Sequence, residues 1–214
     1  MASLGYQERL AADEPRGLLV LHHGRGTDEQ DLLPLADAFD PQRRLHVVSA
    51  RAPFELPGSP GFHWYRVLQV GYPHADTFRA SYAALSELHD ELWERTGLTP
   101  PNTVLGGFSM GSVMSYALGL GGDRPAPAGI MAFSGFVPTV EGWEPSVSDR
   151  TSTRVLIAHG RSDPVIGIEF ARRARELLEE GGLAVDYREA DTVHTIDPAD
   201  IPRAAGWLKD TLSA

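Results

Sequence analysis

The chain has 214 residues, 42% of them hydrophobic and 22% charged, a balance that supports one buried core in an ordinary globular domain. A formal charge of -10 argues against a nucleic-acid surface, because nothing here neutralises a run of phosphates, and against a basic face for anionic lipid. The absence of cysteine excludes disulfides, thiolate metal ligands and a cysteine nucleophile.

In chain order, Tyr6 to Leu10 suggests an antiparallel edge strand, and Gly17 to His22 is the first almost wholly apolar strand. Asp28 to Phe39 places Leu32, Leu35, Ala36 and Phe39 at helical spacing. Leu45 to Ser49 is the next strand, followed by Arg51 to Pro73, a Pro-, Gly- and aromatic-rich stretch too irregular for an element. Asp76 to Arg95 reads as a helix through Phe78, Tyr82, Leu85, Leu88 and Leu92, with Asp76 as its N-cap. Strands follow at Thr103 to Gly106, Gly129 to Phe133, Arg154 to Ala158 and Ala184 to Glu189. Helices are expected over the run SVMSYALGL, over Glu169 to Glu180 before the stop Gly181-Gly182, and over Pro202 to Leu212. Pro138 to Ser152 is a second irregular stretch. Short apolar strands alternating with helices predict a mostly parallel sheet covered on both faces, in a single domain over residues 1–214.

No run approaches the roughly 18 apolar residues that span a bilayer, and the first residues show no basic-then-apolar leader. The cytoplasm is the expected location. A homodimer is left open, since an exposed apolar helix face is not visible in sequence.

Chemistry concentrates at Gly107-Phe108-Ser109-Met110-Gly111, between an apolar strand and a helical run. A tight strand-to-helix turn exposes the serine hydroxyl in a strained conformation, and the helix N-terminus offers free N–H groups to a developing oxyanion. A serine hydroxyl needs a base, and in the serine, acid, histidine order of such folds the histidines after Ser109 are His159 and His194. His159 ends an apolar strand and reads as structural, so His194, in a polar loop after the last strand, is the expected base. Asp163, in HGRSDPV after a strand, is the expected acid. Asp149 precedes its strand, Asp186 lies inside one, and Asp191 stays a competitor.

His22-His23-Gly24-Arg25-Gly26 follows the first central strand, and its glycines let the Arg25 N–H turn towards the serine. Arg25 and Met110 N–H groups are therefore the expected oxyanion hole. A dinucleotide fingerprint would need glycine where Glu29 stands. A metal pair of His22 and His23 is disfavoured because strand neighbours point to opposite faces, and one of them is expected to pack under the loop. His46, His63, His74 and His89 have no visible partner and read as ordinary polar positions.

Together LHHGRGTDEQDL, GGFSMGS, HGRSDPV and VHTID resemble the phospholipase/carboxylesterase family of α/β-hydrolases, over nearly the whole chain and in the family's order. Thr192-Val193 stand before His194 where that family usually has glycine. The resemblance implies an α/β-hydrolase fold without a large cap and no cofactor or metal. It also implies Ser109, Asp163 and His194 as catalytic residues, with Arg25 and Met110 as oxyanion donors. Phe62-His63-Trp64-Tyr65 resembles the family's aromatic acyl-pocket segment, which would make Trp64 and Tyr65 substrate-binding; the alternative is that they pack the loop. The expected activity is hydrolysis of short to medium acyl esters, a small-molecule substrate class. An acyl-protein thioesterase or lysophospholipase shares the motifs, and a non-catalytic binding protein would use the same pocket without needing the three side chains.

Overall fold

A strand buried on both faces is apolar or has its polar groups paired, and Gly17–His22 meets that condition with six buried residues, five of them without a polar side chain and His22 bonded to Ser115 Oγ. In the computed structural model, which describes residues 4–213, this strand (β2) lies inside a seven-stranded sheet. The others are β1 (Tyr6–Arg9), β3 (Leu45–Ala50), β4 (Thr103–Phe108), β5 (Gly129–Phe133), β6 (Arg154–Gly160) and β7 (Val185–Ala190). Their spatial order is β1-β3-β2-β4-β5-β6-β7. All neighbours are parallel except β1, which runs antiparallel along β3. The chain thus reverses direction of travel across the sheet around β2 and β4, which brings the ends of central strands to a common crevice.

Side chains alternate across the sheet. Leu18 and Val20 of β2 join one apolar cluster, while Leu19 and Leu21 join another on the opposite face. The first cluster is filled by helices α2 (Ala75–Thr96) and α3 (Met110–Leu120), through residues such as Phe78, Leu85 and Met114. Beside it, α4 (Ile168–Glu180) packs Ala171, Ala174 and Leu178 against Ile130, Val155 and Ile157. The opposite face carries α1 (Ala36–Phe39) and α5 (Asp200–Thr211), with Phe39, Trp207 and Leu208 over Val104, Met131 and Leu156. This is the α/β-hydrolase architecture: a mostly parallel sheet with helices on both sides.

Three sequence expectations change. The helix expected over residues 28–39 shrinks to α1, preceded by one 3-10 turn at Leu33–Leu35. Pro34 has no N–H to donate, and the Asp28 carboxylate accepts the Gln30 N–H in a local turn instead. The stretch from 51 to 73 contains two small antiparallel ribbons, Phe54–Glu55 with Phe62–His63 and Val67–Gln69 with Tyr72–Pro73. The long helix starts at Ala75 with His74 as its N-cap, so Asp76 sits in the first turn, where its charge still suits the helix dipole. Among the described residues no helix is long and apolar enough to cross a membrane.

Candidate active site

Ser109 closes the turn between β4 and α3 with φ 55° and ψ −119°, in the left-handed half of the map that a side chain ordinarily avoids. The turn is held from both sides. The Ser109 N–H donates to Phe133 O at 2.8 Å, and Val113 N–H returns to Ser109 O at 3.3 Å. The flanking glycines are steric requirements: a Cβ at Gly107 would lie 2.4 Å from the Gly111 carbonyl carbon, and one at Gly111 would lie 1.9 Å from His22 O. Three of the five positions of the motif are thus fixed, Gly107 and Gly111 by backbone crowding and Met110 by its buried packing.

His194 and Asp163 arrive from the far side of the sheet. Parallel pairing of β6 with β7, in register Gly160↔Ala190, brings the two strand ends level. Beyond them, Ser162 N–H donates to Thr192 O at 3.1 Å, and Gly160 has no room for a side chain because Thr192 and Val193 carbonyls approach to 2.4 Å from its would-be Cβ. The two loops therefore run in contact. Asp163 Oδ1 accepts the Val165 and Ile166 N–H groups at 2.8 and 2.9 Å, which leaves Oδ2 aimed at His194 Nδ1, 2.6 Å away. An ionised carboxylate only accepts, so Nδ1 carries the ring proton and Nε2 holds a lone pair. Nε2 lies 2.8 Å from Ser109 Oγ, in position to accept its proton. The Phe108 ring lies against the imidazole, with centroids 4.9 Å apart and planes tilted by 42°.

The competing residues are elsewhere. His159 is buried and donates Nε2–H to Ile166 O at 2.7 Å. It is also 3.4 Å from Asp163 Oδ2, but burial lowers its pKa, so it is neutral and steadies the acid-bearing loop rather than pairing with it as a cation. Asp191 is ion-paired with Arg161 at 2.5 Å on the surface, Asp149 accepts Ser146 Oγ, and Asp186 accepts from Arg203.

The Arg25 loop lies between β2 and the first ribbon, pinned by Gly26 N–H to Phe62 O and Phe62 N–H to Thr27 O, both 2.8 Å. Gly26 takes φ 88°, which a side chain would resist. Arg25 and Met110 N–H groups have no protein acceptor among the described residues. Met110 is the first residue of α3, where intrahelical bonding cannot satisfy the N–H.

Trp64 and Tyr65 require a correction. Trp64 is 0% exposed and Tyr65 3%, both in the α2–α3 cluster, so neither presents surface to a substrate. Trp64 instead donates its indole N–H to His23 O at 2.9 Å and its backbone N–H to Met110 Sδ at 3.3 Å. Burial pushes the Tyr65 hydroxyl well above its ordinary pKa. The aromatic segment is interior packing. His46, His63 and His89 are likewise buried rather than ordinary polar positions, His46 with Glu8 at 2.9 Å and His63 with Tyr65 O at 2.9 Å. Sequence reasoning also missed Phe108. Its only signal was its place directly before the serine.

Against known proteins, the family described as phospholipase/carboxylesterase matches residues 9–212. Acyl-protein thioesterase 1 of Debaryomyces hansenii is 26% identical over 180 residues, covering 80% of this chain and 75% of its own. Esterase YpfH of Escherichia coli is 27% identical over 208 residues, with 94% and 85% covered. Among solved structures, a carboxylesterase from Mesorhizobium loti superposes with a TM-score of 0.82 at 26% identity, over 96% of this chain and 94% of the other. With nearly its whole length matched, the chain belongs to the phospholipase/carboxylesterase family and is an ester hydrolase on the α/β-hydrolase fold.

Proposed function

We propose that the chain is a serine carboxylesterase for short to medium acyl esters, with Ser109 as nucleophile, His194 as base and Asp163 as its orienting acid. The single observation that carries this reading is the unbroken relay of 2.8 Å from Ser109 Oγ to His194 Nε2 and 2.6 Å from His194 Nδ1 to Asp163 Oδ2. Each contact has the donor and acceptor that acyl transfer requires.

In the first half-reaction Ser109 Oγ forms a bond to the ester carbonyl carbon while its proton passes to His194 Nε2. The carbonyl electron pair moves onto oxygen, where the Arg25 and Met110 N–H groups stabilise it. Collapse of this intermediate breaks the bond to the alcohol oxygen, which takes the proton from Nε2. Water then adds to the acyl-serine, gives its proton to Nε2, and the second collapse returns that proton to Ser109 Oγ. The sum is ester plus water to acid plus alcohol. Asp163 stays ionised and stabilises the imidazolium formed in each half.

Labelling by a fluorophosphonate probe, abolished by Ser109→Ala, tests the covalent step. Failure of the wild-type chain to label would end the proposal. A thioesterase role is the second reading, favoured by the several fungal relatives named acyl-protein thioesterase 1. Rates on p-nitrophenyl esters of rising chain length, set beside an S-acylated peptide, separate the two: a preference for the peptide by tenfold or more in kcat/KM selects the thioesterase.

A further inference from the structure

His23 is buried at the root of the Arg25 loop, and its ring is fully engaged. Nε2 lies 3.0 Å from the Ala52 backbone nitrogen, whose N–H only donates, so Nε2 is the unprotonated nitrogen. The ring proton is therefore on Nδ1. There it faces the carbonyl oxygen of Gly24 at 2.7 Å. Thr27 Oγ1 lies 3.1 Å from the same carbonyl, 3.2 Å from Asp31 Oδ2 and 3.2 Å from His23 Nδ1 itself, so the 2.7 Å imidazole contact is the shortest that the carbonyl makes here.

The Gly24 carbonyl and the Arg25 N–H belong to one planar trans peptide and point in opposite directions. Whatever grips the carbonyl aims the N–H. Gly24 has no Cβ, and one placed there would stand 3.1 Å from the Phe108 ring, so this ring packs against the position and leaves little room for a side chain. The other neighbours hold the histidine rather than the peptide: Trp64 Nε1 donates to His23 O at 2.9 Å, and the two rings lie 5.3 Å apart. His22, by contrast, turns into the core, with Nδ1 at 2.8 Å from Ser115 Oγ.

We propose that His23, through its Nδ1–H bond to the Gly24 carbonyl, is the positioning residue that sets the Arg25 N–H for oxyanion binding. This rests on the esterase reading above. The role asks for a neutral imidazole of one tautomer. Displacement of a transition-state donor by about 1 Å can cost on the order of 100-fold in rate, so the grip has kinetic consequences without any contact to substrate.

Two amide substitutions divide the ring's functions. His23→Gln places its amide oxygen near the position of Nε2 and keeps an acceptor for Ala52, but loses the donor to Gly24. His23→Asn places its amide nitrogen near Nδ1, keeping the grip and losing the Ala52 bond. On p-nitrophenyl butyrate, His23→Gln is expected to lower kcat about 10- to 100-fold with KM within about threefold, and to weaken inhibition by butylboronic acid, a tetrahedral mimic, by a similar factor. His23→Asn is expected to stay within about threefold of wild type. Wild-type kcat in His23→Gln, or equal losses in both variants, overturns the proposal. Should either variant fail to fold, the ring-nitrogen NMR shifts of wild-type His23 decide the matter: protonated Nδ1 supports it and protonated Nε2 overturns it. A wild-type chain that neither hydrolyses ester nor labels with fluorophosphonate sinks the esterase reading separately, and the tautomer measurement still stands.

Discussion

Within a hydrogen-bonded relay, the consequence of a substitution follows from which atom donates. Asp163→Asn keeps the size of the side chain, and its amide oxygen can still accept the Val165 and Ile166 N–H groups. The amide NH2 then faces His194 Nδ1 and forces the proton to Nε2, leaving no lone pair for Ser109. The expected loss in kcat is about 10⁴-fold with the fold retained, read from steady-state kinetics beside a thermal melt. Ser109→Ala should cost at least as much, about 10⁴- to 10⁶-fold, since the relay then has nothing to activate. Phe108 acts on the same relay by contact rather than by hydrogen bonding. The residues of the relay were legible in the chain because each sits in a short motif of recognisable shape. The direction of each hydrogen bond was not, since a tautomer is set by what lies beyond the ring.

For whole elements, glycine separates local from tertiary constraint. Gly97 ends α2 with φ 70° and has nothing within 4 Å of a would-be Cβ. Gly97→Ala therefore meets only the left-handed backbone penalty, about 1 kcal/mol in urea-unfolding free energy. Gly111→Ala drives a methyl onto the His22 carbonyl, where α3 crosses β2, and either the helix or the chain at His22-His23 must move. A loss of about 4 kcal/mol or more is expected, and activity should fall with it. Equal costs at the two sites would contradict this account. The same distinction explains the errors in element assignment. The 3.6-residue pattern over 28–39 is real, but Pro34 and the turn at Asp28 interrupt the helix, and Glu29 is drawn into an ion pair with Arg51 at 2.5 Å. The aromatic ribbon at 62–65 carried no period long enough to reveal that Trp64 turns inward.

Over the whole molecule, pH acts mainly through histidines that fold neutral. Burial lowers the pKa of His22, His23, His89 and His159, with His89 pushed down to about 3. In the unfolded chain each returns to about 6.5, so the unfolded state binds more protons below that value. The stabilisation they give is fully present above about pH 6.5 and is lost as pH falls towards the folded values, with a slope of up to about 1.4 kcal/mol per pH unit for each group. Urea unfolding between pH 7.5 and 4.5 should show this decline. A flat profile would mean that these rings are already charged or solvated in the native state. Taken by itself, the sequence determined the sheet class from its apolar strands and singled out Ser109 by its glycine spacing. Its four motifs, in their order along the chain, also pointed to the family. Each strand and each motif is a local property, written in residues within a few positions of one another. Only the tertiary structure decided that Asp163 rather than Asp191 faces His194, that Trp64 is core, and that His23 rather than His22 meets the Gly24 carbonyl. Each of those outcomes depends on strand order and register between distant segments, such as the pairing of Gly160 with Ala190, which settle contacts between residues 31 and 85 positions apart. The burial that makes such contacts strong comes from the assembled sheet and helices, and no stretch of chain carries it alone.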